Sequence, residues 1–265
     1  MSPVTADLRE AVIAIAREAA AAILAVYENA FEVESKSDSS PLTAADLAAH
    51  RIIVDGLERL TPDWPILSEE AADIPWETRR HWSRYWLVDP LDGTREFVKR
   101  NGEFTVNIAL IEQGVSVFGV VLAPVGGTVW HGVAGAEACR RDGETDTLLR
   151  TRAPATGTLR VAASRSHRDA RTEALLARIG DAQTLGLGSS LKFCRIADGT
   201  LDVYPRFGPT SEWDTAAAQC VLEAAGGVVI APDGRAFRYN QRPTLLNGDF
   251  IALGDPQLPW RSWIG

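Results

Sequence analysis

Cysteine is scarce in this chain: three residues in 265, at Cys139, Cys194 and Cys220. They are odd in number and far apart, so neither a disulfide framework nor a metal-ligand spacing follows from them. A reducing, cytoplasmic setting is therefore expected. Basic charge is also in deficit, with 27 Lys and Arg against 35 Asp and Glu and a net charge of −8. That excludes the basic face on which general nucleic-acid binding depends. A small cationic cofactor, or a ligand carried in with metal ions, suits the balance better. Long uninterrupted apolar runs are missing too. Asp7, Arg9, Glu10, Arg17 and Glu18 break up the apolar N-terminal stretch. It reads as neither a signal peptide nor a membrane span, although peripheral membrane association stays open. No internal repeat or low-complexity tract is present.

What remains is an ordinary globular composition, 46% apolar and 23% charged. The length allows one large domain or two small ones. Leu8, Val12, Ile15, Ala16, Ala19, Ile23 and Val26 recur at helical spacing, predicting a long amphipathic helix capped by Thr5. Residues 32–41 read as a strand and loop containing Lys36. Thr43 opens a second helix through Leu60, stopped by Pro62. Residues 74–84 read as a short helix and surface loop. Residues 104–111, 115–122, 128–133 and 137–141 form an antiparallel meander, turning at Gln113-Gly114 and Gly126-Gly127. A boundary is placed at 147–158, dividing the chain into an N-terminal α+β part (1–150) and a C-terminal α/β part (151–265). The second part alternates strands at 159–163, 183–187 and 201–204 with helices at 169–179, 190–197 and 214–225.

The chemistry concentrates at the ends of these elements. In Trp86-Leu87-Val88-Asp89-Pro90-Leu91-Asp92-Gly93-Thr94 an apolar strand runs into two carboxylates. Pro90 cannot donate to a ladder, so the strand is predicted to end there. Such a loop supplies the carboxylate and carbonyl oxygens that a hard divalent cation takes. Gly93 permits close backbone approach to a ligand and Thr94 adds a hydroxyl. Leu67-Ser68-Glu69-Glu70 repeats the pattern, and Asp46 and Asp214 sit at predicted helix starts. Each has a plainer reading: a solvated turn for residues 89–94, surface acids for Glu69 and Glu70, a capping box with Thr43 for Asp46, and an N-cap for Asp214. Taken together, Glu69, Asp89, Asp92 and Asp214 are costly to assemble unless cations neutralise them.

The stretches WLVDPLDGTREF, WDTAAAQCVLEAAGG and LSEE resemble the signatures of the inositol monophosphatase superfamily of magnesium-dependent, lithium-sensitive phosphatases. The resemblance spans essentially the whole chain. Within it, SPLTAAD (40–46), residues 81–111, SRSH (164–167), LGSSLKFC (187–194) and YPRFGPTSEWDTAA (204–217) look like the bacterial 3′(2′),5′-bisphosphate nucleotidase (CysQ) type. The implied fold is a layered α-β-α-β-α sandwich of mixed α/β class. The implied activity is removal of the 3′-phosphate of adenosine 3′,5′-bisphosphate, with 3′-phosphoadenylyl sulfate as a second substrate, in sulfate assimilation.

Carried onto this sequence, the resemblance implies that Glu69, Asp89 and the Leu91 carbonyl hold one Mg²⁺. Asp89, Asp92 and Asp214 hold a second, with Glu70 assisting through water and a third, weaker ion near Glu69. Thr94 would orient the attacking water, Asp46 would accept its proton, and Lys36 would lie nearby. Amides of Gly93 and Thr94 would cradle the phosphate. Ser164, His167, Gly188, Ser189, Ser190, Lys192 and Arg206 are the candidate nucleotide contacts. For each of these, an ordinary cap or solvated side chain is the plainer alternative. An inositol or sugar phosphatase on the same scaffold, and a non-catalytic metal- and phosphate-binding sensor, are the competing functions. Monomer and homodimer both remain open.

Overall fold

The computed structural model describes residues 4–29, 41–164 and 170–264. Lys36 and His167 lie outside the described residues, as does nearly all of the strand and loop read at 32–41. With elements numbered in chain order, the first layer is α1 (Ala6–Asn29) and α2 (Pro41–Leu60). Thr5 caps α1, its hydroxyl accepting the Leu8 N–H at 3.1 Å. Leu8, Val12, Ile13, Ala16, Ala19, Ala20 and Ile23 form the buried stripe that the three- and four-residue spacing predicts.

That stripe covers one face of a seven-stranded sheet: β1 (Ile66–Ser68), β2 (Arg84–Asp92), β3 (Thr105–Glu112), β4 (Val115–Ala123), β5 (Thr128–Val133), β6 (Ala138–Asp142) and β7 (Thr145–Leu148). The strands lie in chain order, β1 parallel to β2 and the rest antiparallel. The opposite face carries α6 (Leu191–Ala197) and α7 (Trp213–Ala224). Beyond them lies a second sheet, ordered β11 (Val228–Ile230), β12 (Phe250–Leu253), β10 (Val203–Arg206), β8 (Leu159–Ser164) and β9 (Ala182–Leu187). Helices α5 (Ala170–Ile179) and α8 (Arg261–Ile264) close the far side. This is the α-β-α-β-α layering expected from the sequence.

Helix α7 is buried along most of its length. Two glycines let it lie directly on the first sheet. A Cβ on Gly119 of β4 would stand 2.1 Å from the Ala217 carbonyl oxygen, and one on Gly132 of β5 would stand 2.9 Å from the Val221 Cα. Neither glycine has a positive φ; what each supplies is the missing side chain.

Several local readings are corrected. Strand β2 does not stop before Pro90 but continues to Asp92. Asp89 pairs with Asn107 and Asp92 with Thr105, so Pro90 and Leu91 together face the single residue Val106. The resulting bulge leaves the proline without a ladder bond to make, which is how a strand tolerates it. Helix α2 begins at Pro41, so Asp46 stands beyond the first turn and is no capping-box partner. Strand β7 extends the meander into the stretch read as boundary. Strands β11 and β12 are only three and four residues long and separated by a turn-rich segment, too short for period-two alternation to register.

Candidate active site

The bulge in β2 brings the acidic pair Asp89 and Asp92 together while both stay paired with β3, and the start of α7 delivers a third carboxylate to the same point. One oxygen each from Asp89, Asp92 and Asp214 lie within 4.8 Å of one another. Asp89 is 1% exposed, and its Oδ1 accepts the Leu91 N–H at 3.0 Å. Asp214 is not an N-cap; Glu212 holds that position, and Asp214 Oδ2 accepts the Ser211 N–H at 2.8 Å. The remaining carboxylate oxygen is thereby left to the cluster. Glu69 and Glu70 follow β1 in a 3-10 turn. The Glu69 carboxyl lies beside Asp89, and that of Asp46 beside Glu70.

Crowding of this kind shows in the acidities. Burial, then the neighbouring Asp92, Glu69, Asp214 and Asp46, push Asp89 well above the usual carboxylate range. Asp214 rises to about 8 through burial and then Asp92. Asp46 rises to about 8 through burial and then Glu70 and Glu69. Glu69 and Asp92 are raised too, burial first. The Oδ1 atom of Asp46 is buried without a hydrogen-bond partner. Buried like charges and an orphaned acceptor are unfavourable in a bare protein and fitting in a cation site. The donor set is all oxygen, as hard divalent ions require.

A cleft of about 240 Å³ opens against this cluster. Its lining includes Asp92, Gly93, Thr94 and Asp214. Gly188, Ser189, Lys192 and Arg206 line it as well. Gly93, at φ +96°, is the left-handed residue that turns β2 into α4 (Thr94–Val98), and Thr94 is the first residue of that helix. Asp46, Glu69, Glu70 and Asp89 are not among the lining residues and join the site through the other carboxylates. Lys192 is buried and donates to the carbonyls of Ser189 (2.6 Å) and Leu187 (3.3 Å). Burial lowers its amine to about 8, against the pull of Asp92. Arg206 donates to the Pro209 carbonyl at 2.9 Å. Ser164 ends β8 beside Leu187 in the parallel ladder.

Ser190 is not the side-chain cap expected from its position. Its N–H and hydroxyl both meet Asp92 Oδ2, at 2.7 and 3.0 Å, and the hydroxyl also lies 2.7 Å from the Asp214 carbonyl oxygen. Asn107 donates to the Ser190 hydroxyl at 2.9 Å. Asn107 was missed from the sequence, although a lone amide in the apolar run of β3 was a legible signal. Glu103 was missed as well: its carboxylate accepts the Gly188 N–H at 2.9 Å.

The sequence profile of the inositol monophosphatase family matches residues 5–258. The chain belongs to the inositol monophosphatase family. Within the family it is 51% identical over 239 residues to the 3′(2′),5′-bisphosphate nucleotidase CysQ of Escherichia coli K12, covering 89% of this chain and 95% of that protein. It is 50% identical over 245 residues to CysQ of Salmonella typhimurium, covering 91% and 97%. Among solved inositol monophosphatase family structures, CysQ of Bacteroides thetaiotaomicron superposes with a TM-score of 0.82 at 40% identity, covering 92% and 96%. An inositol monophosphatase from Zymomonas mobilis gives 0.76 at 25% identity, covering 98% and 99%. Among the described residues, no helix is long and apolar enough to cross a membrane.

Proposed function

We propose that this protein is a Mg²⁺-dependent phosphomonoesterase that removes the 3′-phosphate of adenosine 3′,5′-bisphosphate, giving AMP and phosphate, and that also accepts 3′-phosphoadenylyl sulfate. The reading places it in cytoplasmic sulfate assimilation and nucleotide recycling. Half-identity to bisphosphate nucleotidases along nine-tenths of the chain supports the substrate. The observation that carries the reading is the cleft itself, lined both by Asp92 and Asp214 of the carboxylate cluster and by Lys192 and Arg206. A substrate with two phosphates asks for both: one phosphate held over cations, the other paired with basic side chains.

We assign Glu69, Asp89 and the Leu91 carbonyl to one Mg²⁺, and Asp89, Asp92 and Asp214 to a second, with Glu70 helping through water and a third ion near Glu69. Cations bound there would cancel phosphate charge and lower the pKa of a coordinated water. The chain's own residues supply positioning. Thr94 orients the attacking water through its hydroxyl, whose proton passes to Asp46. Gly93 and Thr94 bring backbone N–H groups to the phosphate, because a helix start directs its amides outward. Ser164, His167, Gly188, Ser189, Ser190, Lys192 and Arg206 frame the nucleotide. In this division, residues 1–150 carry most of the carboxylates, and residues 151–265 add Asp214 and selectivity.

Turnover of adenosine 3′,5′-bisphosphate and of inositol 1-phosphate, measured side by side in Mg²⁺, tests the proposal. Preference for the bisphosphate is the expected result. Clear preference for the inositol ester, or no phosphate released from either, overturns it.

A further inference from the structure

We propose that the far end of the seven-stranded sheet carries a second, separate metal site, in which His131, Cys139 and Asp146 bind a zinc-like divalent cation. The register of three neighbouring strands builds it. His131 on β5 stands directly opposite Cys139 on β6. Asp146 on β7 is paired with Arg141, two residues from Cys139 and therefore on the same face. One ligand atom from each of the three lies within 4.8 Å of the others, and His131 Nε2 is 3.2 Å from Asp146 Oδ1. Tetrahedral zinc, with bonds of roughly 2.0–2.3 Å, asks for ligand atoms roughly 3.3–3.8 Å apart. Small side-chain adjustments close that difference.

The donor set is one nitrogen, one sulfur and one carboxylate oxygen. This is a borderline-soft set that suits Zn²⁺ and not Mg²⁺. Three protein ligands leave a fourth position for water. His131 is 2% exposed, so its ring is fixed by packing. Arg141 fixes the carboxylate: its Nε and Nη2 each donate to Asp146 at 2.7 Å, and the same guanidinium reaches Glu10 on α1. Arg141 thus engages both oxygens of Asp146, and a bound cation would share one of them with it, in place of the His131 contact. The surrounding charges are Arg9 and Arg141 against Glu10, Glu137 and Asp146. On binding, the Cys139 thiol loses its proton to solvent, neutral His131 ligates through its unprotonated nitrogen, and Asp146 is already ionised. The site lies on β5, β6 and β7, strands away from the carboxylates of β2.

The test uses full-length protein stripped of metal and held in excess Mg²⁺, titrated with Co²⁺ by absorption and with Zn²⁺ by calorimetry. The expected result is a sulfur-to-cobalt charge-transfer band in the wild type and its loss in Cys139→Ser and His131→Ala, each folded by circular dichroism. Asp146→Asn should weaken Zn²⁺ binding at least about tenfold. An oxygen-only site yields no such band, so cobalt entering the acidic cluster cannot imitate the result. Phosphate release in Mg²⁺ should be unchanged in all three variants. Absence of the band in the wild type, or its persistence in Cys139→Ser, overturns the proposal.

Discussion

Ser190 holds Asp92 by two hydrogen bonds to one carboxylate oxygen, through its N–H at 2.7 Å and its hydroxyl at 3.0 Å. Asp92 ends β2 of the first sheet and Ser190 lies between β9 of the second sheet and α6, 98 positions away. Their contact ties the end of β2 to the segment that leads into α6. It also bears on metal affinity, because a hydrogen-bonded carboxylate is oriented before an ion arrives.

Replacing Ser190 by Ala keeps the backbone bond and removes the hydroxyl. The Mg²⁺ concentration for half-maximal activity should rise about tenfold, with kcat at saturating Mg²⁺ changed far less. A Mg²⁺ titration of phosphate release checks this. An unchanged requirement would leave the hydroxyl with no part in metal binding.

Asp92→Asn should lower phosphate release by about 10²–10³-fold, since metal-borne charge stabilisation is worth several kcal/mol. The same substitution removes a charge from a crowded cluster, so the metal-free variant should melt higher than the metal-free wild type. Activity assays and melting curves in chelator decide both halves.

The acidic cluster also sets a pH dependence for the metal-free protein. Asp214 and Asp46 are raised to about 8 in the folded state, against about 3.9 in an unfolded chain. Between these values the folded form binds more protons, so stability falls as pH rises. The contribution is complete below about pH 4 and is lost through pH 8. Chemical denaturation in chelator should therefore show lower stability at pH 8 than at pH 6, and Mg²⁺ should narrow the gap. Equal stability at the two pH values would contradict the crowding.

Asp202 is fully buried at the base of β10, where Arg152 donates to it at 2.8 and 2.6 Å and the Arg160 N–H at 2.7 Å. Burial raises its carboxyl, but these bonds win and hold it below the usual range. Asp202→Ala removes the acceptor shared by Arg152 and Arg160, whose guanidinium groups keep the Thr156 and Gly199 carbonyls, and should cost about 1–3 kcal/mol. Urea unfolding measures the loss, and phosphate release at low temperature should persist, since Asp202 does not line the cleft.

Gly119→Ala tests how α7 is seated. The new methyl would collide with the Ala217 carbonyl, so the helix that carries Asp214 must shift. Overpacking of this sort costs about 1–3 kcal/mol. Mg²⁺ affinity should fall with stability, which melting and metal titration on one preparation will show.

The sequence by itself determined the layered class, the identity of the acidic residues and the helical stripe of α1, because these rest on local spacing and on motifs that survive as linear text. Thr94, Gly93 and the carboxylates were legible for that reason. What it could not decide was orientation. Pro90 reads locally as a strand end, yet a bulge carries β2 past it. Ser189 and Ser190 read locally as a cap, yet Ser190 turns to Asp92. Asp214 reads as the cap of its helix, yet Glu212 holds that place. Each outcome was fixed by contacts between segments far apart in the chain, above all the seating of α7 against Gly119 and Gly132. The convergence of Asp89, Asp92 and Asp214 follows from that packing, because the burial of a whole helix outweighs the preference of any single cap.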